Sequence, residues 1–342
     1  GSFGLVVPEF AHGNKGFESS FSGFGTKADL YFSDDRDGVR ARSERAPTPE
    51  RVRGDLIVDA QGMLPFFGSF FNRMSDGLDP NDLPFFLNLL QHLASSGITC
   101  PTPVATRAGT VLGTLAGRPA ALVTFLEGMW VKRPKPEHCG ALGQNMAQMH
   151  LAGADFSMTR KNALSVDGWR PLYQQCDGRA DSVIPGLSAE IERELNYLEA
   201  HWPADLPVGV IHADLFPDNV FFLSDELSGL IDFYFACTDA LAYDIAICLN
   251  AWCFEQDLSF NVTKARQLLN GYSQVRPLTD QEYSALPLLA RGAALRFLLT
   301  RLYDWLSVPE GALVTPKDPL EYLKKLRFHQ SVENTGAYGL DT

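Results

Sequence analysis

The 342-residue chain is short of positive charge: 29 Lys and Arg stand against 41 Asp and Glu, a formal net charge of −12. A general nucleic-acid binder needs a basic footprint, so that class is excluded. Also lacking is an apolar run long enough to span a bilayer. No secretory hydrophobic region opens the chain, and Gly1-Ser2 reads as an expression remnant. Six cysteines, at 100, 139, 176, 237, 248 and 253, are scattered without a Cys-x2-Cys pair. They read as small buried hydrophobes in a reducing cytoplasm, not as disulfides or a metal site. The length suits one large domain or two lobes.

What the chain does have is concentrated between residues 211 and 233. Asp214 follows His212 by two and precedes Asn219 by five. That His-x-Asp-x4-Asn spacing is the one phosphoryl-transfer loops use. The apolar runs 220–223 and 229–233 flank a polar break at 224–228, which predicts an antiparallel hairpin. If Val220 faces Ile231, Asn219 faces Asp232, and an amide meets a carboxylate beside Asp214. Asn219 and Asp232 offer the hard oxygen donors that Mg2+ prefers. Asp214 is placed to take or orient a hydroxyl proton. The bland alternative is a surface hairpin with an N-cap Asp and a solvated Asn. His212 reads as a loop brace.

Elsewhere the patterning predicts helices. Residues 82–96 carry apolar side chains at helical spacing and end at Gly97. This helix has no glutamate for a Lys–Glu pair of the protein-kinase kind. A hairpin is expected over 111–115 and 119–125. Helices are expected over 138–152, with a packing or capping role for His150, and over 188–201. Residues 240–254 are apolar nearly all round and predict a buried helix, with Asp244 as the exception that caps it or braces the catalytic loop. Residues 287–306 predict a second interior helix, with Arg291 near its apolar stripe. Residues 162–169 read as a polar-aromatic loop.

His212-Ala-Asp-Leu-Phe-Pro-Asp-Asn219 with Ile231-Asp-Phe-Tyr-Phe-Ala236 resembles the choline kinase and aminoglycoside phosphotransferase fold. Asn81-Asp-Leu-Pro-Phe-Phe86, Phe125-Leu-Glu-Gly-Met-Trp130, Asn162-Ala-Leu-Ser-Val-Asp-Gly-Trp169, Leu241-Ala-Tyr-Asp-Ile-Ala246, Leu249-Asn-Ala-Trp-Cys-Phe254 and the segment from Leu295 to Trp305 resemble its bacterial homoserine kinase branch. The likeness spans residues 79–340. It implies an α+β, two-lobed, protein-kinase-like fold with a small β-rich lobe and a larger helical one. It also implies ATP-dependent phosphorylation of the side-chain hydroxyl of L-homoserine, in threonine biosynthesis. Asp214 carries over as catalytic base, Asn219 and Asp232 as magnesium ligands, and Phe125, Leu126, Glu127 and Gly128 as the hinge whose backbone meets adenine. His212 and Asp244 would support the loop. A zwitterionic acceptor needs a cation and an anion, which Arg296 with Asp304 would supply, with Arg291 or Arg301 as substitutes. An internal salt bridge among these residues is the alternative. The implied partners are ATP and a small substrate, with no nucleic acid and no membrane.

Residues 1–78 depart from that pattern. The glycine-rich hairpin that the family places over the phosphates is not found there. Residues 21–27 have glycines and a lysine without clean flanking strands, 34–53 read as linker or disorder, 56–59 as one short strand, and 64–71 as a phenylalanine-rich run. The expected organisation is an atypical 1–78, the rest of the small lobe and hinge over 79–128, and a helical lobe over 129–342. A divergent lobe, a translated frame error and an expression artefact each account for such a segment. Other acceptors, such as an aminoglycoside, choline or methylthioribose, and a pseudokinase without turnover are the competing readings.

Overall fold

The computed structural model describes residues 3–6, 29–31, 40–41, 58–59, 80–115, 118–308 and 316–340. The readings at 21–27 and 64–71, and most of 34–53, lie outside the described residues. The chain folds as two compact units, Gly1–Gln91 with Pro101–Leu126, and His92–Cys100 with Glu127–Thr342.

In the first unit, β1 (Phe3–Val6), β5 (Gly113–Leu115) and β6 (Arg118–Thr124) form one antiparallel sheet in the order β1-β6-β5. Phe3 pairs with Thr124 and Val6 with Ala121. The expected hairpin is therefore β5–β6, and a strand from the atypical segment pairs with it. Three further strands, β2 (Asp29–Tyr31), β3 (Arg40–Ala41) and β4 (Val58–Asp59), make a second sheet in the order β3-β2-β4. The first helix, α1 (Leu83–Ser95), follows a 3-10 turn at Pro80–Asp82. It buries Leu83, Phe86, Leu89, Leu90 and Leu93 and leaves Pro84 and Asn88 exposed. Gly97, at φ +89, ends it as expected, since only glycine takes that conformation without strain.

The second unit is mostly helical. Its helices are α2 (Pro136–Ala152), α3 (Val166–Gln174), α4 (Leu187–His201), α5 (Leu241–Trp252), α6 (Val262–Val275), α7 (Asp280–Ser307) and α8 (Pro319–Gln330). Its strands are β7 (Val208–Ile211), β8 (Val220–Leu223), β9 (Glu226–Leu230) and β10 (Cys237–Ala240), paired as β7 with β10 and β8 with β9. The predicted all-round burial of α5 is found: every residue from Leu241 to Asn250 is buried. The helix expected over 287–306 begins earlier, at Asp280. Thr279 accepts from the Glu282 amide and Glu282 accepts from the Thr279 amide, a capping box that starts the helix and leaves Pro287 in its interior. The loop expected over 162–169 is in part helix, because α3 begins at Val166. Among the described residues, no helix is long and apolar enough to cross a membrane.

Helices α2 and α6 approach backbone to backbone. A Cβ on Gly143 would lie 2.2 Å from the Leu268 carbonyl oxygen, and one on Gly271 would lie 2.2 Å from that of Gly140. Backbone has no rotamer with which to yield. Gly143→Ala is expected to lower stability by about 1–3 kcal/mol, read from denaturant unfolding. Gly140→Ala, whose Cβ would first meet Gln267 at 3.5 Å, serves as the near-neutral comparison.

Candidate active site

The β8–β9 hairpin forms, with two corrections to the sequence reading. Its turn is shorter than 224–228, because β9 starts at Glu226. Its register is also displaced: Val220 faces Leu230, not Ile231. The Ile231 amide donates to the Asn219 carbonyl at 3.0 Å, so Asn219 faces Ile231 rather than Asp232. Within the hairpin a bulge shifts the register by one residue, with Phe221 facing Gly229 and Phe222 facing Leu227. Asp232 lies just past the strand, and its φ of 63° turns the chain there.

The loop after β7 is fixed from every side. The Asp244 carboxylate, buried on α5, accepts from two successive amides, His212 to Oδ2 and Ala213 to Oδ1, both at 2.7 Å. Ala213 has φ +62, a left-handed conformation that a non-glycine residue holds only when its surroundings enforce it. Arg296 of α7 clamps the other end of that residue, with Nη1 donating to the Ala213 carbonyl at 2.7 Å. Trp252 Nε1 donates to the Leu215 carbonyl at 2.7 Å, and His212 Nε2 donates to the Ile231 carbonyl at 2.9 Å. These contacts tie the loop to α5, to α7 and to the hairpin.

Asp244 has a support chain of its own. Arg276 Nη1 lies 3.1 Å from the Tyr272 hydroxyl, which lies 2.8 Å from His150 Nδ1; His150 Nε2 lies 3.1 Å from Asp244 Oδ2. Arginine only donates, so Tyr272 accepts from Arg276 and gives its own proton to Nδ1. His150 then carries its hydrogen on Nε2 and donates it to the carboxylate. Arg276 is in turn paired with Glu282 at 2.9 Å. Burial works against ionisation of Asp244, yet the hydrogen bond from His150, with help from the His212 amide, holds its pKa below the ordinary value. Burial lowers the His212 pKa against the pull of Asp244, which suits a neutral brace rather than a proton carrier.

Asp214 is buried, and Asn219 Nδ2 donates both to its carbonyl at 2.8 Å and to its Oδ2 at 3.0 Å. The two side chains orient each other and leave Asp214 Oδ1 and Asn219 Oδ1 outside this pairing. Burial pushes the Asp214 pKa well above the usual carboxylate range; Arg296 opposes the shift, Asp232 and Asp218 add to it, and Lys317 opposes it. Burial also pushes the half-buried Asp232 up to about 6, against the pull of the Tyr234 amide. Among the described residues, no three His, Cys, Asp or Glu side chains cluster as a metal cage. One amide oxygen and one carboxylate instead match magnesium, which keeps waters and substrate phosphates as its other ligands.

The remaining candidates are spread out. At the segment expected as the hinge, the chain leaves the first unit after Leu126, with Phe125 and Leu126 half-buried and the Glu127 side chain exposed. The Glu127 carbonyl accepts from Ser228 Oγ at 2.9 Å, and Met129 exchanges backbone hydrogen bonds with Phe222 at 3.0 and 2.9 Å. Gly128 between them has φ +139, and a Cβ there would meet Ser228 Oγ at 2.4 Å. Of the α7 arginines, Arg291 makes a two-pronged ion pair with Glu194 of α4 and lies 4.0 Å from the Tyr197 ring centroid. Arg301 donates to Glu321 at 2.6 Å and to the Asp318 carbonyl at 3.2 Å. Arg296 is 1% exposed and faces inward. Asp304 lies toward Cys176, whose thiol is pushed up to about 11 by burial, with Asp304 among the charges that add to it. Two features escaped the sequence reading: the Arg296 clamp on Ala213 and the Tyr272–Arg276 support of His150. Both join residues far apart in the chain, and no local pattern marks them.

Two outcomes follow from this geometry. Asp244→Asn leaves one loop amide facing a donor and is expected to cost about 1–3 kcal/mol, read from chemical denaturation. The second concerns pH. A carboxyl whose folded pKa lies above its unfolded value holds its proton more tightly when folded. Asp232 rises from an ordinary 3.8 to about 6, so its contribution is present in full below pH 3.8 and is lost as pH rises through about 6. Asp232→Asn should therefore stabilise the unliganded protein at pH 7 by about 1–3 kcal/mol and flatten its stability profile across that window. Parallel profiles for parent and variant would contradict this.

The model of the phosphotransferase enzyme family matches residues 68–278. A homoserine kinase of Rhodospirillum rubrum is 66% identical over 263 residues, covering 77% of this chain and 82% of that protein. A homoserine kinase of Xanthobacter autotrophicus is 68% identical over 260 residues, covering 76% and 81%. An amicoumacin kinase solved in complex with AMP-PNP and Ca2+ superposes with a TM-score of 0.55 at 16% identity, covering 75% of this chain and 78% of that one, a likeness of fold. With its strand-bearing unit and its larger helical unit, the chain has the α+β two-lobed, protein-kinase-like fold and is an ATP-dependent kinase. It belongs to the homoserine kinase branch of the phosphotransferase enzyme family.

Proposed function

We propose that the protein transfers the γ-phosphoryl group of ATP to the side-chain hydroxyl of L-homoserine, giving O-phospho-L-homoserine and ADP on the way to threonine, in the cytoplasm. The observation that carries this reading is the 66–68% identity to homoserine kinases over three quarters of the chain. The buried Asp214–Asn219 pair supports it with the matching chemistry.

In this reading Asp214 is the catalytic base. Asn219 holds Oδ2, and Oδ1 faces the acceptor hydroxyl. The hydroxyl oxygen bonds to the γ-phosphorus, its proton passes to Asp214, and the bond to the β-phosphate oxygen breaks as ADP leaves. Burial raises the basicity of Asp214 and so favours its taking a proton. Asn219 Oδ1 and Asp232 would hold Mg2+, which supplies charge compensation for the ATP phosphates when bound. Phe125, Leu126, Glu127 and Gly128 would offer backbone to adenine. Residues 79–128 would complete the small lobe and 129–342 the large one. His212 and Asp244 keep the loop rigid, which matters because phosphoryl transfer is mostly positioning. Arg291 and Arg301, engaged with Glu194 and Glu321, act as structural ion pairs.

Purified protein with ATP, Mg2+ and L-homoserine is expected to release ADP in a homoserine-dependent way. Asp214→Asn should lower kcat by at least about 100-fold, the lower range for a positioned general base, while leaving the protein folded and no less thermally stable than the parent. A folded sample with no homoserine-dependent ADP would contradict the proposal. ADP release with choline or an aminoglycoside instead would reassign the acceptor.

A further inference from the structure

The acceptor of the proposed reaction carries a carboxylate, and the site around Asp214 is acidic, with Asp218 and Asp232 both bearing on it. A carboxylate enters such a place only against a cation. The α7 arginines do not supply one, because Arg291 is paired with Glu194, Arg301 with Glu321, and Arg296 is buried against the Ala213 carbonyl.

Lys317 remains. It is exposed, and among the described residues no carboxylate pairs with it. Its ammonium lies 5.7 Å from the ring centroid of Phe216, two residues beyond Asp214 in the same loop. Phe216 stands edge-on to Phe297 at 4.9 Å, and Phe297 packs on Tyr322 at 5.2 Å. Lys317 therefore sits on an aromatic wall beside the loop that carries the base. Its backbone is also fixed. Asp318 caps α8 by accepting from the Leu320 amide at 2.8 Å, Pro319 sets the first helical position, and Arg301 holds the Asp318 carbonyl at 3.2 Å. An anchored stem and an aromatic platform leave the ammonium less freedom to lose on binding an anion.

We propose that Lys317 receives the α-carboxylate of the amino-acid acceptor and sets the preference of the site for an amino acid over a plain amino alcohol. This rests on the proposed homoserine reaction. Asp214 and the Phe216 platform of Lys317 belong to one loop, and the Lys317 charge bears on Asp214, as a carboxylate and a reacting hydroxyl carried on one short chain require.

The test compares L-homoserine with 3-aminopropan-1-ol, the same molecule without its carboxylate. The parent protein should show a much higher kcat/KM for homoserine. In Lys317→Met that ratio should fall about tenfold or more, chiefly through KM for homoserine, and Lys317→Arg should recover most of it. Retention of the parent ratio in Lys317→Met overturns the assignment while the homoserine reaction stands. Equal losses on both acceptors with a raised KM for ATP overturn it too, and give Lys317 to a nucleotide phosphate. No homoserine turnover by the parent protein would remove the proposed function and this inference together.

Discussion

One buried carboxylate organises the catalytic half of this molecule. Asp244 lies on a helix that is apolar nearly all round, where an unpaired charge would be costly. It is held there by charge-assisted hydrogen bonds from His212, Ala213 and His150. Each of those partners is constrained in turn. His150 depends on Tyr272, Tyr272 on Arg276, and Arg276 on Glu282, which also caps α7. Helix ends and loop backbone thus belong to one polar network, and a network of this kind is rigid only when each member is satisfied.

The purpose of that rigidity is visible at Ala213. The chain adopts a left-handed conformation just before Asp214, and clamps on its amide and on its carbonyl keep it there. The turn points the next side chain toward Asn219 and leaves one carboxylate oxygen uncommitted. A second left-handed residue, Asp232, ends the hairpin in the same manner. Burial raises the pKa of both carboxyl groups. Both are costly for the unliganded fold and suited to a site completed by a cation.

Much of this could be read from the chain because it is local. The His212–Asp214–Asn219 spacing, the hairpin, the buried helix with its lone Asp244 and the stop at Gly97 each express a short-range rule of period, polarity or turn chemistry. The finer geometry was not legible. The hairpin turns after Leu223 and β9 begins already at Glu226, so the register at the open end is one residue short of the expected one and Asp232 arrives through a left-handed turn rather than as the strand partner of Asn219. Folding the segment about its midpoint in sequence cannot locate so tight a turn. Arg291, the arginine that the apolar stripe marks as needing a partner, finds it in Glu194, whereas Arg296, placed by the sequence on the polar flank, is buried and donates to a backbone carbonyl 83 positions away. Helices α6 and α8 went unread because their apolar faces are narrow and interrupted by charge. Lys317 carries no local signal at all, since its setting is made by Phe216 and by the helix that starts beside it.

The central claim is that Asp244 locks the backbone of the Asp214 loop in the protein without any ligand. Residue-resolved native-state hydrogen exchange tests it directly. If the claim holds, the amides of His212 and Ala213 exchange as slowly as those in the middle of α5, by way of global unfolding only. Exchange of those two amides at the rate of an exposed loop, with α5 still protected, would contradict it.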